Sequence, residues 1–288
     1  MSQRRSWRPT DAVLLAGLLV LAVVATLGVW RDIAGIAGRD DEQSHIFLAL
    51  PVAGWLAWVR RDRLRMARPR WSIMGPLVIA AGWGLSWFGY TGTLEIAFHA
   101  GAVLMAVGVL LTVIGPNVMV QFLPALGALV FLLPVPGALR QPIALQLQEI
   151  SAAITEFGLD LFGVPVARAT NLLMINGREV AVAEACNGMR MVAALGLIAY
   201  AYVFSVPMRG SIRLLILVAS PLVAIVVNVI RLIPTTLLYG YSDQTTAEIF
   251  HDWSGWGVLV LAIGLLWLLV EILRWIEVPI TPYALGEE

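Results

Sequence analysis

Three residues in the sequence have side chains suited to acyl transfer by a cysteine nucleophile: Cys186, Arg231 and His251. A thiolate attacks a carbonyl carbon, an imidazole moves protons near neutral pH, and a guanidinium stabilises an oxyanion. Cys186 is the only cysteine among 288 residues, so it forms no internal disulfide. The set predicts Cys186 as nucleophile, His251 as general acid and base, and Arg231 as the charge that stabilises the tetrahedral intermediate.

The surroundings of Cys186 favour this reading. The segment Glu184-Ala185-Cys186-Asn187-Gly188 lies where a polar loop gives way to an apolar run. A helix that begins near Asn187 would direct its free N–H groups and its positive dipole end at the thiol, which favours the thiolate and can hold an oxyanion. The alternative is that Cys186 only fills space as a small apolar side chain.

Arg231 and His251 each have an ordinary alternative as well. Arg231 lies in the apolar run from Ile212 to Tyr239, with Asn228 one turn earlier on the same helical face. An arginine at that depth is expensive unless it faces a polar interior, although it could instead extend to the headgroups. His251 precedes the last apolar run, where it could serve as a base or as an interfacial hydrogen-bonding residue.

Neighbouring polar residues are expected to support these three or to bind substrate. They are Ser44, His45, Glu184, Asn187, Gly188 and Asn228. His45 is the only other plausible base, and it could instead shape a substrate groove. His99, within an apolar run, is expected to form an interhelical hydrogen bond. No second histidine has ligand spacing to the acidic cluster before His45, so we expect no metal and no cofactor.

Composition indicates which kind of secondary structure positions these residues. Hydrophobic residues make up 59% of the chain and charged residues 13%, with a mean hydropathy of +0.84. No water-soluble domain of this length has such a composition, so the predicted fold is an all-α, polytopic transmembrane bundle in one domain over residues 1–288. Net charge is zero and all 19 basic residues are Arg, so no global field attracts nucleic acid. Hydropathy predicts eight spans: 12–30, 44–59, 72–89, 94–114, 118–134, 189–206, 214–239 and 255–275.

The arginines predict the orientation of these spans. They concentrate in the N-terminal segment, in 60–70 and in 209–213, which places both termini in the cytoplasm. The connections 31–43, 135–188 and 240–254 then lie outside and contain or border the candidate residues. Within 135–188 we expect amphipathic interfacial helices over Ile143 to Phe162, then a hairpin turning at Asn176-Gly177.

At these residues the chain resembles the exosortase and archaeosortase family of polytopic membrane cysteine transpeptidases. The resemblance covers about residues 40–275 and rests on fragments in the family's order: Ser44-His45-x-Phe47-Leu48-x-x-Pro51, Leu133-Pro134-x-Pro136, Ala185-Cys186-Asn187-Gly188, Asn228-x-x-Arg231 and His251-x-x-x-Gly255. The family pattern around the nucleophile usually reads Ala-Cys-Ser-Gly, and here Asn187 takes the serine position. The resemblance assigns catalytic roles to Cys186, Arg231 and His251.

The resemblance also implies a function. The substrates would be exported proteins whose C-terminus carries a short motif, a transmembrane helix and a basic tail, as in PEP-CTERM proteins. The enzyme would cleave near the motif on the outer face of a bacterial inner membrane and transfer the new carboxyl end to an acceptor. A link to exopolysaccharide production follows from the family alone. The expected partners are membrane lipids, these substrates and an unknown acceptor nucleophile, with no nucleic acid.

Three other functions compete with this one. In a transporter or channel, Arg231, Asn228 and His99 would line a path and Cys186 would be incidental. A scaffold subunit of a polysaccharide export system would tolerate loss of Cys186. A metal-dependent membrane hydrolase would be sensitive to chelators.

Overall fold

Helices account for most of the chain in a computed structural model, which describes residues 9–66, 71–182 and 188–275. We number the helices in chain order: α1 Pro9–Ala25, α2 Leu27–Arg39, α3 Ile46–Val59, α4 Arg61–Met66, α5 Met74–Thr91, α6 Glu95–Ile114, α7 Pro116–Met119, α8 Leu123–Ala128, α9 Gly137–Leu161, α10 Gly188–Ser205, α11 Gly210–Tyr241 and α12 Gln244–Trp275. Three short 3₁₀ turns cover Asp41–Gln43, Val120–Phe122 and Leu129–Leu132. The strands are β1 Val166–Ala169, β2 Leu172–Ile175 and β3 Arg178–Ala181.

Within these described ranges, three helices are long and apolar enough to cross a membrane. They cover Glu95–Ile114, Gly210–Tyr241 and Gln244–Leu273. The number rises to at most five if each of two broken helix pairs forms one span. The predicted count of eight is therefore not confirmed. One reason is length, because α3 has 14 residues and reaches only about 21 Å at 1.5 Å per residue. A second reason is that the predicted span 118–134 is divided into short turns.

Contacts divide the chain into two compact units, Met1–Pro136 and Gly137–Glu288. Each unit is described by itself below. The sequence-based expectation of one domain over residues 1–288 stays a prediction.

In the first unit, α5 and α6 pack backbone against backbone at glycines spaced seven residues apart. These glycines are Gly75, Gly82 and Gly89 on α5, and Gly101 and Gly108 on α6. A Cβ atom at Gly82 would lie 2.8 Å from the carbonyl oxygen of Gly101, a distance that real Cβ contacts do not adopt. Small residues therefore permit this close approach, as in other membrane helix pairs.

A polar link joins α6 to α2 in the same unit. His99 is fully buried, and its Nε2 lies 2.8 Å from Oδ2 of Asp32, whose side chain is 46% exposed. The expected interhelical hydrogen bond of His99 is thus confirmed. The predicted outer connection 31–43 is helical for most of its length, since α2 continues to Arg39 after a 75° bend from α1. An apolar face of α2, with Val29, Ile33 and Ala37 buried, explains this helix.

The second unit contains α9 to α12 and a small antiparallel sheet in the order β1-β2-β3. The amphipathic segment predicted over 143–162 falls, except for its last residue, within the single 25-residue helix α9. The predicted β2–β3 hairpin is confirmed, with positive φ at Asn176 and Gly177 in the tight turn. The prediction missed β1, so the fold is helical with one three-stranded sheet rather than strictly all-α.

The β2–β3 hairpin is fixed to the C-terminal end of α11. Asn176 donates through Nδ2 to the carbonyl oxygen of Gly240 at 3.0 Å. Arg178 donates to the carbonyl oxygens of Tyr239 at 3.1 Å and Ser242 at 2.7 Å. These bonds satisfy carbonyls that a helix end leaves open, and a cation there complements the helix dipole. The hairpin, and with it the chain that continues toward Cys186, thereby gains a defined attachment to the helix that carries Arg231.

Apolar packing beneath the sheet also holds the β2–β3 hairpin against α11. Leu173, Ile175 and Val180 are buried against residues of α9 and α11, including Leu159 and Leu232. Along β2 the buried residues Leu173 and Ile175 alternate with partly buried ones, as expected for a strand with one covered face.

Candidate active site

The site is built on α11 and α12, which pack together as consecutive helices. Only Ser242 and Asp243 connect them, which makes the pair antiparallel. Arg231 lies ten residues before the end of α11 and His251 seven residues after the start of α12, so both side chains lie about 10–15 Å from the turn. The two residues therefore occupy the same level of the unit.

His251 lies on a helix, which corrects the prediction of an external loop over 240–254. The reason is the start of α12, where Asp243 accepts hydrogen bonds from the backbone N–H of Thr246 at 2.9 Å and from its hydroxyl at 2.8 Å. Gln244 also donates to Glu248 at 2.8 Å. Such capping and i to i+4 pairing begin a helix in a stretch too polar for hydropathy to detect. The hydrogen bonds from Thr246 lower the pKa of the Asp243 carboxyl below its ordinary value.

Arg231 contacts His251 through both its backbone and its ring. Arg231 Nη2 donates to the His251 carbonyl oxygen at 2.7 Å, and it lies 3.2 Å from Nδ1 and 3.4 Å from Nε2 of the imidazole. Nη2 is thus nearly equidistant from the two ring nitrogens, so the guanidinium lies against the imidazole ring as a whole and is not directed at one nitrogen.

A third residue, Ser254, completes the contact and was missed by the sequence reasoning. Arg231 Nε donates to Ser254 Oγ at 2.9 Å, and Ser254 Oγ donates to the carbonyl oxygen of His251 at 3.0 Å. The signal available in the sequence was its position three residues after His251, which places both on one helical face. A Cβ at Gly255 would lie 3.8 Å from Arg231 Nη2, which is an ordinary contact, so this arrangement does not require glycine there.

The remaining donors of Arg231 are those on Nη1. Its Nε and Nη2 have the partners given above, and Nη1 has none among the residues that the structure describes. Arg231 is partly buried. One edge of the guanidinium is thus held by α12, and the other can meet an anionic or carbonyl oxygen.

Asn228 lies one turn before Arg231 and is 1% exposed. Its Oδ1 accepts no hydrogen bond within the described part of the chain, and the hydroxyl of Thr236 on the same helix is likewise buried without a partner there. A buried amide oxygen without a donor costs free energy, so each such atom calls for an explanation. The predicted supporting role of Asn228 stays a prediction.

The predicted nucleophile and two of its neighbours, Glu184, Cys186 and Asn187, lie outside the described residues. Gly188, which directly follows them, is the first residue of α10. Residues 183–187 are not described, so the prediction of a helix that starts near Asn187 stays a prediction.

Ser44 and His45 belong to the first compact unit, whereas Arg231 and His251 belong to the second. Ser44 donates to the Asp41 carbonyl oxygen at 2.8 Å, and Nδ1 of His45 lies 3.3 Å from the carbonyl oxygen of Glu42. The same turn is tied to the segment before Pro136, since Val135 N–H donates to the side chain of Gln43 at 2.9 Å. His45 is 6% exposed.

Over residues 9–66, 71–182 and 188–275, no group of three or more His, Cys, Asp or Glu side chains has an arrangement that could hold a metal ion.

Comparison with known families places the chain in one of them. Residues 30–268 match the transmembrane exosortase family, and since this is most of the chain, the protein belongs to that family. Membership supports a general role as a membrane-embedded sorting transpeptidase. No curated protein and no solved structure matches the chain significantly.

Proposed function

We propose that the protein is a membrane-embedded cysteine transpeptidase that cleaves C-terminal sorting signals of exported proteins and transfers the new carboxyl end to an acceptor. The observation that carries the proposal is the contact between Arg231 and His251, 2.7 Å at the backbone and 3.2 Å at the ring, in a chain of the exosortase family. Cys186 is the proposed nucleophile, because it is the only thiol in the chain and lies two residues before the first residue of α10 in sequence.

The proposed chemistry has two halves. In the first, His251 takes the proton of the Cys186 thiol, and the thiolate attacks the scissile carbonyl carbon while Arg231 Nη1 stabilises the oxyanion. His251 then gives the proton to the leaving amine, so that the C–N bond breaks and a thioester remains on Cys186. In the second half, an acceptor amine attacks the thioester and loses its proton to His251, and Cys186 leaves as the thiol. Water in place of the amine would make the reaction hydrolysis.

The proposed substrate is a protein with a short motif, an apolar helix and an arginine-rich tail. Its helix would lie in the bilayer beside the enzyme, with the tail on the cytoplasmic side by the rule that orients basic segments. The scissile motif would then be exposed on the outer side of the bacterial inner membrane, where we place Cys186, Arg231 and His251. Ser44, His45, Glu184, Asn187, Gly188 and Asn228 are proposed to support the reaction or contact the motif.

A processing experiment in cells tests the proposal. A reporter protein with such a tail, taken from the same genome, is expressed with wild-type enzyme, Cys186→Ala or Cys186→Ser. We expect a shorter product with wild type and none with Cys186→Ala at equal membrane abundance. Mass spectrometry of the new C-terminus distinguishes transfer from hydrolysis. Equal processing by Cys186→Ala would exclude the cysteine mechanism and leave the transporter and scaffold functions as the better account.

A further inference from the structure

Arg231 needs more than one contact if its free edge is to meet a reacting oxygen. The side chain has several rotatable bonds, and a single hydrogen bond leaves the guanidinium plane free to turn about that bond. Electrostatic stabilisation of an oxyanion requires donors already in place, because reorientation during the reaction costs free energy. Some other residue must therefore fix the plane.

Ser254 makes the contact that fixes the plane. Its Oγ accepts from Arg231 Nε at 2.9 Å and donates to the His251 carbonyl oxygen at 3.0 Å. That same carbonyl oxygen accepts from Arg231 Nη2 at 2.7 Å. The three groups form a closed ring of hydrogen bonds, in which the guanidinium is held at Nε and at Nη2 while Nη1 stays outside the ring.

The closed ring of hydrogen bonds also determines where the guanidinium lies relative to His251. Ser254 and the carbonyl oxygen of His251 belong to consecutive turns of one helix, so their separation is set by helix geometry. Arg231 reaches this helix from α11. Both anchors of Arg231 on α12 are therefore rigid, as required of residues that support a reacting group.

We infer that Ser254 is a positioning residue for the transpeptidation, one that holds Arg231 so that Nη1 faces the oxyanion and Nη2 stays against His251. The inference rests on the proposed function, because it assigns Ser254 a role in that reaction. Ser254 itself takes no part in bond formation. Its removal lowers the rate of the chemical step and leaves substrate binding nearly unchanged.

The test compares the kinetics of four variants purified in detergent, with the tailed reporter protein as substrate. Ser254→Ala removes the hydroxyl, and Ser254→Thr keeps it. Ser220→Ala is the matched control, because Ser220 is a buried serine on α11 whose hydroxyl donates only to Leu217 of its own helix, at 2.9 Å. Cys186→Ala reports whether the proposed function holds. Thermal unfolding of every variant shows that each is folded.

We expect Ser254→Ala to lower kcat about tenfold with KM within about twofold, which is the effect of one lost hydrogen bond in the transition state. Ser254→Thr restores kcat to within about threefold of wild type, and Ser220→Ala has wild-type kinetics. If Cys186→Ala is inactive while Ser254→Ala has wild-type kcat, or while Ser254→Thr is as slow as Ser254→Ala, the positioning role is overturned and the proposed function stands. If Cys186→Ala is fully active, the proposed function fails and the catalytic role of Ser254 fails with it.

Discussion

At the scale of single residues, the five donor hydrogens of Arg231 are divided between two tasks. Nε and Nη2 bind Ser254 and His251 on α12, while Nη1 bonds none of the residues that the structure describes and can bind another molecule or segment. A point charge would satisfy neither task, because the arrangement depends on a planar, forked donor. The identity of this residue as arginine, and not only its charge, is therefore expected to matter.

Arg231→Lys tests this expectation. Lysine keeps the positive charge, but its three N–H donors share one nitrogen, so it lacks the planar fork that binds α12 on one edge and presents a second edge to the substrate. We expect processing of the tailed reporter to fall at least about tenfold relative to wild type. The rate is measured in cells at matched membrane abundance, and processing at the wild-type rate would show that charge alone suffices.

At the scale of helices and strands, the attachment of the β2–β3 hairpin to α11 determines where the chain enters the segment that contains Cys186. Gly240 permits this attachment. A Cβ at Gly240 would lie 2.7 Å from Cγ2 of Ile175, which is fully buried and branched at Cβ and so has little freedom to move aside.

We therefore predict that Gly240→Ala displaces the hairpin from α11. Both the unfolding temperature and the processing rate should fall below those of wild type. Gly264→Ala on α12 is the matched control, because a Cβ there meets no atom within 4 Å. Activity of Gly240→Ala equal to that of Gly264→Ala would show that the hairpin does not position the reactive segment.

The close packing of α5 against α6 at their glycines leads to a second prediction, which concerns the unfolding temperature. Gly82→Ala places a Cβ 2.8 Å from the Gly101 carbonyl oxygen, and overpacking of this kind costs about 1–3 kcal/mol. Gly84→Ala, two residues away, meets no atom within 4 Å and gains about 0.5–1 kcal/mol in helix propensity. The two variants should thus shift the unfolding temperature in opposite directions, and equal shifts would contradict the close packing of these helices.

At the scale of the whole molecule, the arginine distribution predicts which segments face the cytoplasm. This orientation follows from charge asymmetry between connections, whatever the number of spans, and three to five candidate spans lie within the described residues. The β2–β3 hairpin and the turn before α12 are expected outside, and α4 is expected inside.

Single cysteines test this orientation in a Cys186→Ala background. Glu179→Cys and Thr245→Cys lie at exposed positions expected on the outer side, and Asp62→Cys lies at an exposed position expected on the inner side. A membrane-impermeant maleimide applied to intact spheroplasts should label the first two, and the third only after lysis. Labelling of Asp62→Cys in intact spheroplasts would reverse the orientation.

Much of this architecture could be predicted from the sequence, wherever one strong local signal determines an element. The continuous apolar run of α6 defines its helix to within one residue, because lipid requires every backbone group to be paired. Asn176-Gly177 defines the hairpin turn, because both positions need positive φ.

The features that were missed depend on contacts between elements. The spacing of glycines on α5 predicts close packing only if α6 is known to lie against it. Ser254 is recognised as a partner of Arg231 only if Arg231 is known to reach it from another helix. Hydropathy also failed at α12, since its first turns are polar and are begun by the Asp243 cap. The predicted count of eight spans is not confirmed, and hydropathy does not register that residues 116–132 divide into short helices and 3₁₀ turns.

The central claim is that Arg231 and His251 act on Cys186, and alkylation of this thiol tests it without a substrate. Because Cys186 is the only cysteine, the rate at which iodoacetamide modifies the purified protein reports on that thiol alone. A neighbouring base and cation raise the thiolate fraction at neutral pH. We predict that Arg231→Ala and His251→Ala each slow alkylation at pH 7 about tenfold or more, while Ser220→Ala does not. Identical alkylation rates from pH 6 to 9 in wild type, Arg231→Ala and His251→Ala would contradict the claim.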